Sequence, residues 1–237
     1  MPDTVSDNLP AVLVPGLNCS ARLYAGQIPA LWQFGPVTVA DHTRDDSMAA
    51  IARRILAAAP PRFALAGLSM GGYICFEIMR LAPQRVTKLA LLDTGPRADT
   101  PEQTQARQPR IELAKTGRFA EVSGVQYPLL VHPNRRDDAA LKALVRAMAE
   151  ETGPQAFLRQ QRAIVARPDS RPGLSAITCP TLVLVGDSDA LTPPTLAREI
   201  AAAIRGSRLV VVPDSGHLPT IERPEVVTEA LVEWMAS

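Results

Sequence analysis

The segment GLSMGG at residues 67–72 contains the residue most suited to chemistry, Ser69. Glycines two positions before and after Ser69 allow a sharp turn from a strand into a helix, which leaves the serine oxygen exposed above a sheet. The segment lacks the G-x-G-x-x-G and G-x-x-x-x-G-K-[ST] spacings of nucleotide-binding loops, so it favours nucleophilic catalysis over phosphate binding. The plain alternative is a glycine-rich turn without chemistry.

A serine hydroxyl needs a neighbouring base to act as a nucleophile, and the chain has three histidines. His217 follows Gly216 just beyond the last predicted strand, at the sheet edge where such folds place their sites. We therefore expect His217 to be the base. Two alternatives remain: His42, which also follows a predicted strand, and His132, which falls in a helical segment.

The base must be oriented by a third group, which is usually a carboxylate. Asp187 and Asp189 both follow a predicted strand within the segment GDSD at residues 186–189. Asp187 has a second interpretation, because aspartate often closes turns through its own side chain. Asp93, which ends another strand, is the third candidate. The chain order Ser, Asp, His is the order expected of α/β-hydrolases.

Short apolar runs separated by helix-length segments predict a doubly wound α/β sheet, mostly parallel and of about six strands. The predicted strands are Ala11–Val14, Val37–Ala40, Phe63–Ala66, Lys88–Leu92, Thr181–Val185 and Arg208–Val212. The predicted helices between them are Tyr24–Trp32, Met48–Ala58, Met70–Leu81, Thr195–Ile204 and Pro224–Met235.

Residues 97–176 contain no convincing strand and predict several helices separated by Gly117, Pro128, Pro133 and the pair at 153–154. We expect a core of residues 1–96 and 177–237 that carries 97–176 as a helical cap. This segment has thirteen basic and nine acidic residues. Solvated helix faces account for most such charge. The sharper interpretation is a lid that accepts anionic substrates.

Composition excludes several classes of protein. The 237 residues carry a net charge of +1, which gives no long-range attraction for nucleic acid or an anionic membrane. No apolar run reaches the ~18 residues of a transmembrane helix. Three widely spaced cysteines argue against a disulfide framework or a zinc site. The N-terminus lacks the features of a secretory signal, so we expect a cytoplasmic protein.

The sequence resembles α/β-hydrolase fold esterases with a short helical cap. GLSMGG is similar to the nucleophile elbow of that family and implies Ser69 as the nucleophile. GDSDALTP at residues 186–193 resembles the family's acid turn and places the acid at Asp189 ahead of Asp187, while Gly216-His217 resembles its histidine motif. Many members carry two strands before the core, and from the short segment before Ala11 we expect these to be absent here.

The resemblance also implies an oxyanion hole formed by the backbone N–H groups of Leu17 and Met70. The corresponding loop here reads VPGLNC at residues 14–19, with proline where the family usually has histidine. Asn18 and His132 are candidate substrate contacts, and the alternative for Asn18 is that it shapes the turn. Chemistry of this kind needs no metal and no organic cofactor.

These observations predict a serine hydrolase for carboxylic esters of small to medium size. A lactonase, a thioesterase or a carbon–carbon bond hydrolase would use the same three residues, so the motif does not separate them. A haloalkane dehalogenase is disfavoured, because that relative carries an aspartate where this chain has Ser69. A non-catalytic binding protein on the same fold is the alternative from another class. The sequence does not indicate an oligomeric state.

Overall fold

The computed structural model describes residues 8–237 and confirms the predicted α/β fold with a six-stranded sheet. The strands are β1 (Ala11–Val14), β2 (Val37–Val39), β3 (Phe63–Leu68), β4 (Val86–Leu92), β5 (Thr181–Gly186) and β6 (Arg208–Val212). Their order is β2-β1-β3-β4-β5-β6, and every neighbouring pair is parallel. Since β2 and β3 lie on opposite sides of β1, the winding reverses there, and such a point opens a ligand crevice.

Nine α-helices accompany the strands within residues 8–237. They are α1 (Ile28–Leu31), α2 (Met48–Ala58), α3 (Met70–Leu81), α4 (Pro101–Lys115), α5 (Ala120–Leu130), α6 (Ala139–Val165), α7 (Pro194–Ala203), α8 (Pro219–Glu222) and α9 (Pro224–Ala236). None of them is both long and apolar enough to cross a membrane.

The central strands are buried on both faces, which explains their uninterrupted apolar runs. Alternate residues of β1 and β3 belong to two separate core clusters. Val12 and Leu65 pack with side chains of α2, α3 and α7, whereas Leu13 and Leu68 pack with side chains of α6 and α9. This two-sided burial fixes the sheet and holds its carboxyl edge in place.

One predicted helix is wrong. Instead of a helix over Tyr24–Trp32, the chain forms a short 3-10 helix at Ala21–Tyr24 and then α1. Pro29 has no backbone N–H, so it cannot donate the hydrogen bond that a continuous helix would need at that position. The hydroxyl group of Tyr24 donates to the Val14 carbonyl, which pins this segment to the end of β1.

Residues 97–176, which we expect to act as a cap, contain α4, α5 and α6 and no strand. Gly153 interrupts α6 with a non-helical backbone (φ 76°, ψ 162°), as the sequence predicts for residues 153–154. Pro128 behaves differently from the prediction, because it lies inside α5. The proline removes one hydrogen bond near the end of that helix without stopping it.

Candidate active site

Ser69 occupies the turn between β3 and α3 in a strained backbone conformation (φ 55°, ψ −114°). A side-chain carbon added at Gly67 would overlap the Gly71 carbonyl, and one added at Gly71 would overlap the Val14 carbonyl. Glycine is therefore required at both positions for this turn to close. Thr94 supports it by donating its hydroxyl hydrogen to the Ser69 carbonyl over 2.8 Å.

A continuous hydrogen-bonded chain connects a serine, a histidine and an aspartate from three separate loops. His217 Nε2 lies 2.8 Å from Ser69 Oγ, and His217 Nδ1 lies 2.7 Å from Asp189 Oδ2. His217 and Asp189 are both 3 % exposed. Because an ionised carboxylate only accepts, Nδ1 carries a proton in this arrangement and Nε2 is free to accept from the serine hydroxyl.

The loop after β5 presents Asp189 through its own backbone. Asp189 Oδ1 accepts from the N–H groups of Leu191 and Thr192, and Oδ2 also accepts from the Thr192 hydroxyl over 2.6 Å. Burial raises the pKa of Asp189, but the neighbouring His217 ring and these hydrogen bonds outweigh it, so the net pKa lies below its ordinary value. Asp189 is therefore held as the anion.

The other two acids weighed from the sequence have different surroundings. Asp187 accepts from the N–H groups of Asp214 and Ser215, so it closes the turn that precedes the histidine. Asp93 is fully buried at the end of β4, and its Oδ1 accepts from the Gly186 N–H over 2.9 Å.

Asp93 forms a close pair with the acid of the hydrogen-bonded chain. An oxygen atom of Asp93, one of Asp189 and a ring nitrogen of His217 lie within 4.8 Å of one another. Burial, followed by the neighbouring charge of Asp189, raises the pKa of Asp93 well above its ordinary value. The pair thus favours one proton on Asp93 and one negative charge on Asp189. Both ring nitrogens of His217 are already hydrogen-bonded, so the trio has no free imidazole atom for a metal.

The loop that carries His217 is braced by a buried acid that the sequence did not single out. Glu222 Oε1 accepts from the N–H groups of Gly216 and Leu218, which flank the histidine. Glu222 Oε2 accepts from the His132 N–H over 2.7 Å. The His217 N–H donates to the Leu130 carbonyl at the end of α5. The loop is therefore bonded to the segment that we expect to be the cap.

The two backbone N–H groups expected to form an oxyanion hole lie on either side of the serine turn. Within residues 8–237, neither the Leu17 nor the Met70 N–H donates to a protein acceptor. A side-chain carbon added at Gly16 would sit 3.5 Å from Ser69 Cβ, so the Leu17 loop packs directly on the serine. A ligand atom would therefore not have to displace a protein acceptor from either N–H group.

His42, an alternative for the base, hydrogen-bonds to the Gly16 carbonyl, whereas His217 bonds to Ser69. The Nε2 atom of His42 lies 2.9 Å from the Gly16 carbonyl, which must accept, so the ring carries its proton on that nitrogen. Burial lowers the pKa of His42 and favours its neutral form. Because the Gly16 carbonyl and the Leu17 N–H belong to one planar trans peptide, they point in opposite directions. The Cys19 N–H donates to the same carbonyl over 3.2 Å, so His42 and this backbone bond together fix the direction of the Leu17 N–H.

A cavity of about 410 Å³ adjoins Ser69 and His217. This volume lies within the usual range of small-molecule sites. Its apolar wall includes Leu129, Leu191 and Leu196, from α5 and from both sides of the start of α7. The cavity thus lies between the sheet edge and residues 97–176.

The two candidate substrate contacts do not line this cavity. The Asn18 N–H donates to Gln160 Oε1, and Asn18 occupies a left-handed turn (φ 59°) that is used for loop shape. The His132 ring accepts from the Asn134 N–H and closes a local turn. Cys19 does line the cavity, but burial raises the pKa of its thiol to about 12, so it is no rival to Ser69 as a nucleophile.

Comparison with known proteins gives a consistent picture. A model of the alpha/beta hydrolase family matches residues 11–230. The chain is 34 % identical over 193 residues to BpoC, a candidate non-heme bromoperoxidase of Mycobacterium tuberculosis, covering 76 % of this chain and 69 % of that protein. It is 28 % identical to the pimeloyl-[acyl-carrier protein] methyl ester esterase of Edwardsiella ictaluri, covering 94 % and 86 %. A thermophilic esterase from Thermogutta terrifontis superposes with a TM-score of 0.87 at 31 % identity, covering 98 % and 90 %.

Proposed function

Because the chain belongs to the alpha/beta hydrolase family and is a hydrolase-fold enzyme, we propose that it cleaves carboxylic esters of small to medium size through an acyl-enzyme on Ser69. The observation that carries this proposal is the hydrogen-bonded chain from Ser69 through His217 to Asp189 beside a ligand-sized cavity. The esterase relatives support the ester as the substrate class.

In the proposed mechanism, His217 Nε2 takes the hydroxyl proton while Ser69 Oγ attacks the ester carbonyl carbon. Asp189, held as the anion, stabilises the imidazolium that forms. The negative charge that develops on the carbonyl oxygen is met by the Leu17 and Met70 N–H groups. One such donor is typically worth ~2.7–4 kcal/mol in the transition state.

Collapse of this intermediate breaks the ester bond, and His217 gives its proton to the leaving alcohol. A water molecule then attacks the acyl-enzyme, with His217 again taking the proton, and releases the acid. Every group in this scheme belongs to the chain itself. We propose further that residues 97–176 act as the cap that covers the substrate.

The test uses p-nitrophenyl esters from acetate to decanoate with the wild type, Ser69→Ala and Ser175→Ala. Ser175 is exposed and does not line the cavity, so its variant controls for loss of a hydroxyl group. We expect Ser69→Ala to lose at least about 10⁴-fold in kcat, the scale of losses when a triad serine is removed, and Ser175→Ala to match the wild type. Retained turnover in Ser69→Ala contradicts the acyl-enzyme.

A fluorophosphonate probe separates an enzyme from a binding protein. We expect covalent labelling at Ser69, located by mass spectrometry of the labelled peptide. A folded wild type that neither labels nor hydrolyses any ester favours the non-catalytic alternative. Labelling without hydrolysis of simple esters shifts the substrate to a lactone, a thioester or a carbon–carbon bond.

A further inference from the structure

The cavity wall has an excess of positive charge. Four arginines line it: Arg97, Arg107, Arg110 and Arg167. In the part of the chain that the structure describes, no aspartate or glutamate lines the same cavity. The ester chemistry proposed above does not itself need a cation beside the serine, so these side chains require a separate explanation.

Three of the four arginines have carboxylate partners. The fully buried Asp99 side chain pairs with Arg107 over 2.9 Å and with Arg167 over 2.7 Å. Arg97 pairs with Glu199 over 3.0 Å. Asp99 carries one negative charge, whereas Arg107 and Arg167 carry two positive charges. These three side chains therefore have a net positive charge even without Arg110.

Arg110 has no carboxylate partner among residues 8–237. It lies on α4 and is partly buried, and its Nε–H is fully buried without any hydrogen-bond acceptor. Burial, and then the charge of Arg107, lower the pKa of Arg110, so both effects act against the charged form. A buried guanidinium N–H that lacks an acceptor is unfavourable, and an anion entering the cavity would relieve this cost.

We propose that Arg110 is a specificity-determining residue that binds an anionic group on the substrate. The substrate class is an ester that also carries a carboxylate or a phosphate-type group, with its ester carbonyl at Ser69 and its anion at Arg110. The planar guanidinium fork matches the oxygen atoms of either group. This inference rests on the proposed function, and it explains why the positive charge of residues 97–176 is concentrated at the cavity.

The substrates that test this come in matched pairs of equal size. Monomethyl esters of dicarboxylic acids, from succinic to suberic, are compared with the same esters whose free carboxyl is a carboxamide. Methyl esters of ω-phosphonoalkanoic acids form a third arm that distinguishes phosphate-type anions from carboxylates. We expect kcat/KM to be about tenfold to a hundredfold higher for one anionic series than for the amides, the range of a charged hydrogen bond.

Arg110→Gln should reduce this preference to near one, and Arg110→Lys, which keeps the charge but not the fork, should retain part of it. Arg146→Gln is the matched control, because Arg146 is an exposed arginine on α6 that pairs with Glu150 and does not line the cavity. A preference that survives Arg110→Gln, or that is absent from the wild type, overturns the proposal.

A binding measurement separates this proposal from the proposed hydrolysis. In Ser69→Ala protein, calorimetry should show at least tenfold tighter binding of the anionic ester than of the amide, and a second change, Arg110→Gln, should remove the difference. This result supports the anion site even if no ester is hydrolysed. Equal affinities for the anionic ester and its amide counterpart overturn the anion site even if ester hydrolysis is established.

Discussion

The strained backbone at Ser69 predicts an unusual order of stabilities for two substitutions. Ser69→Ala and Ser69→Gly both remove the hydroxyl group that bonds to His217, so that loss is common to the two variants. Alanine must keep the conformation at φ 55°, ψ −114°, which costs a residue with a side chain about 1–3 kcal/mol. Glycine adopts it freely, but its more flexible unfolded chain costs about 0.4–1 kcal/mol.

The difference predicts that Ser69→Gly is more stable than Ser69→Ala by about 1 kcal/mol. For a chain of this length that is a rise of roughly 2–4 °C in Tm. Urea unfolding and thermal melts of both variants measure the free energy of unfolding directly. Neither variant should turn over ester, so stability and activity are read separately.

Ser123, inside α5, provides the matched control. In a regular helix the order reverses, and Ser123→Gly should be less stable than Ser123→Ala by about 0.5–1 kcal/mol. If Ser69→Gly were less stable than Ser69→Ala by a similar margin, the turn would store no strain. The account of Ser69 as a residue held in an unfavourable conformation would then be wrong.

Three further predictions concern the groups around the site. Since the pKa of Asp93 is raised on folding, the contribution of this residue to stability should fall as pH rises above about 4, so Asp93→Asn should match the wild type in acid yet exceed it at pH 7–8; equal slopes of the urea midpoint against pH in the two proteins contradict this. Glu222→Gln replaces an acceptor oxygen by an NH₂ group among buried N–H donors and should cost about 1–3 kcal/mol in urea unfolding, whereas an unchanged midpoint would refute the bracing role. His42→Ala leaves the Gly16 carbonyl with the Cys19 N–H as its remaining donor and should lower kcat about tenfold to a hundredfold with KM changed less than threefold; a loss confined to KM would show that His42 does not position the Leu17 N–H.

Much of the fold could be predicted, because burial on two faces leaves a direct trace in the sequence. All six strands lie where the sequence predicts them, although β3 and β4 each extend two residues further than predicted. The extension of β3 includes Gly67, which weakens a strand in isolation but pairs here with Leu91 of β4. The helix predicted over Tyr24–Trp32 is wrong for two reasons: Pro29 interrupts it, which the sequence does show, and the tertiary bond from Tyr24 to Val14 exists only after folding.

Some residues of the site could likewise be predicted from the sequence, and others could not. Ser69, His217 and Asp189 each stand in a short motif, so they could be nominated from sequence, and the sheet brings their side chains within hydrogen-bond distance. Glu222 and His42 carry no such motif. Their roles depend on contacts with the His217 loop and with Gly16 that exist only after folding, so pattern alone gives no signal for them.

The bond between the His217 N–H and the Leu130 carbonyl connects α5 to the proposed base. Glu222 adds a second connection, because it holds both the N–H groups that flank the histidine and the His132 N–H. A displacement of α5 would therefore strain the loop that sets the distance from His217 Nε2 to Ser69 Oγ. We therefore expect substitutions that displace α5 to lower kcat and not only to change KM. The reason is that the helix that lines the cavity also supports the loop of the proposed base.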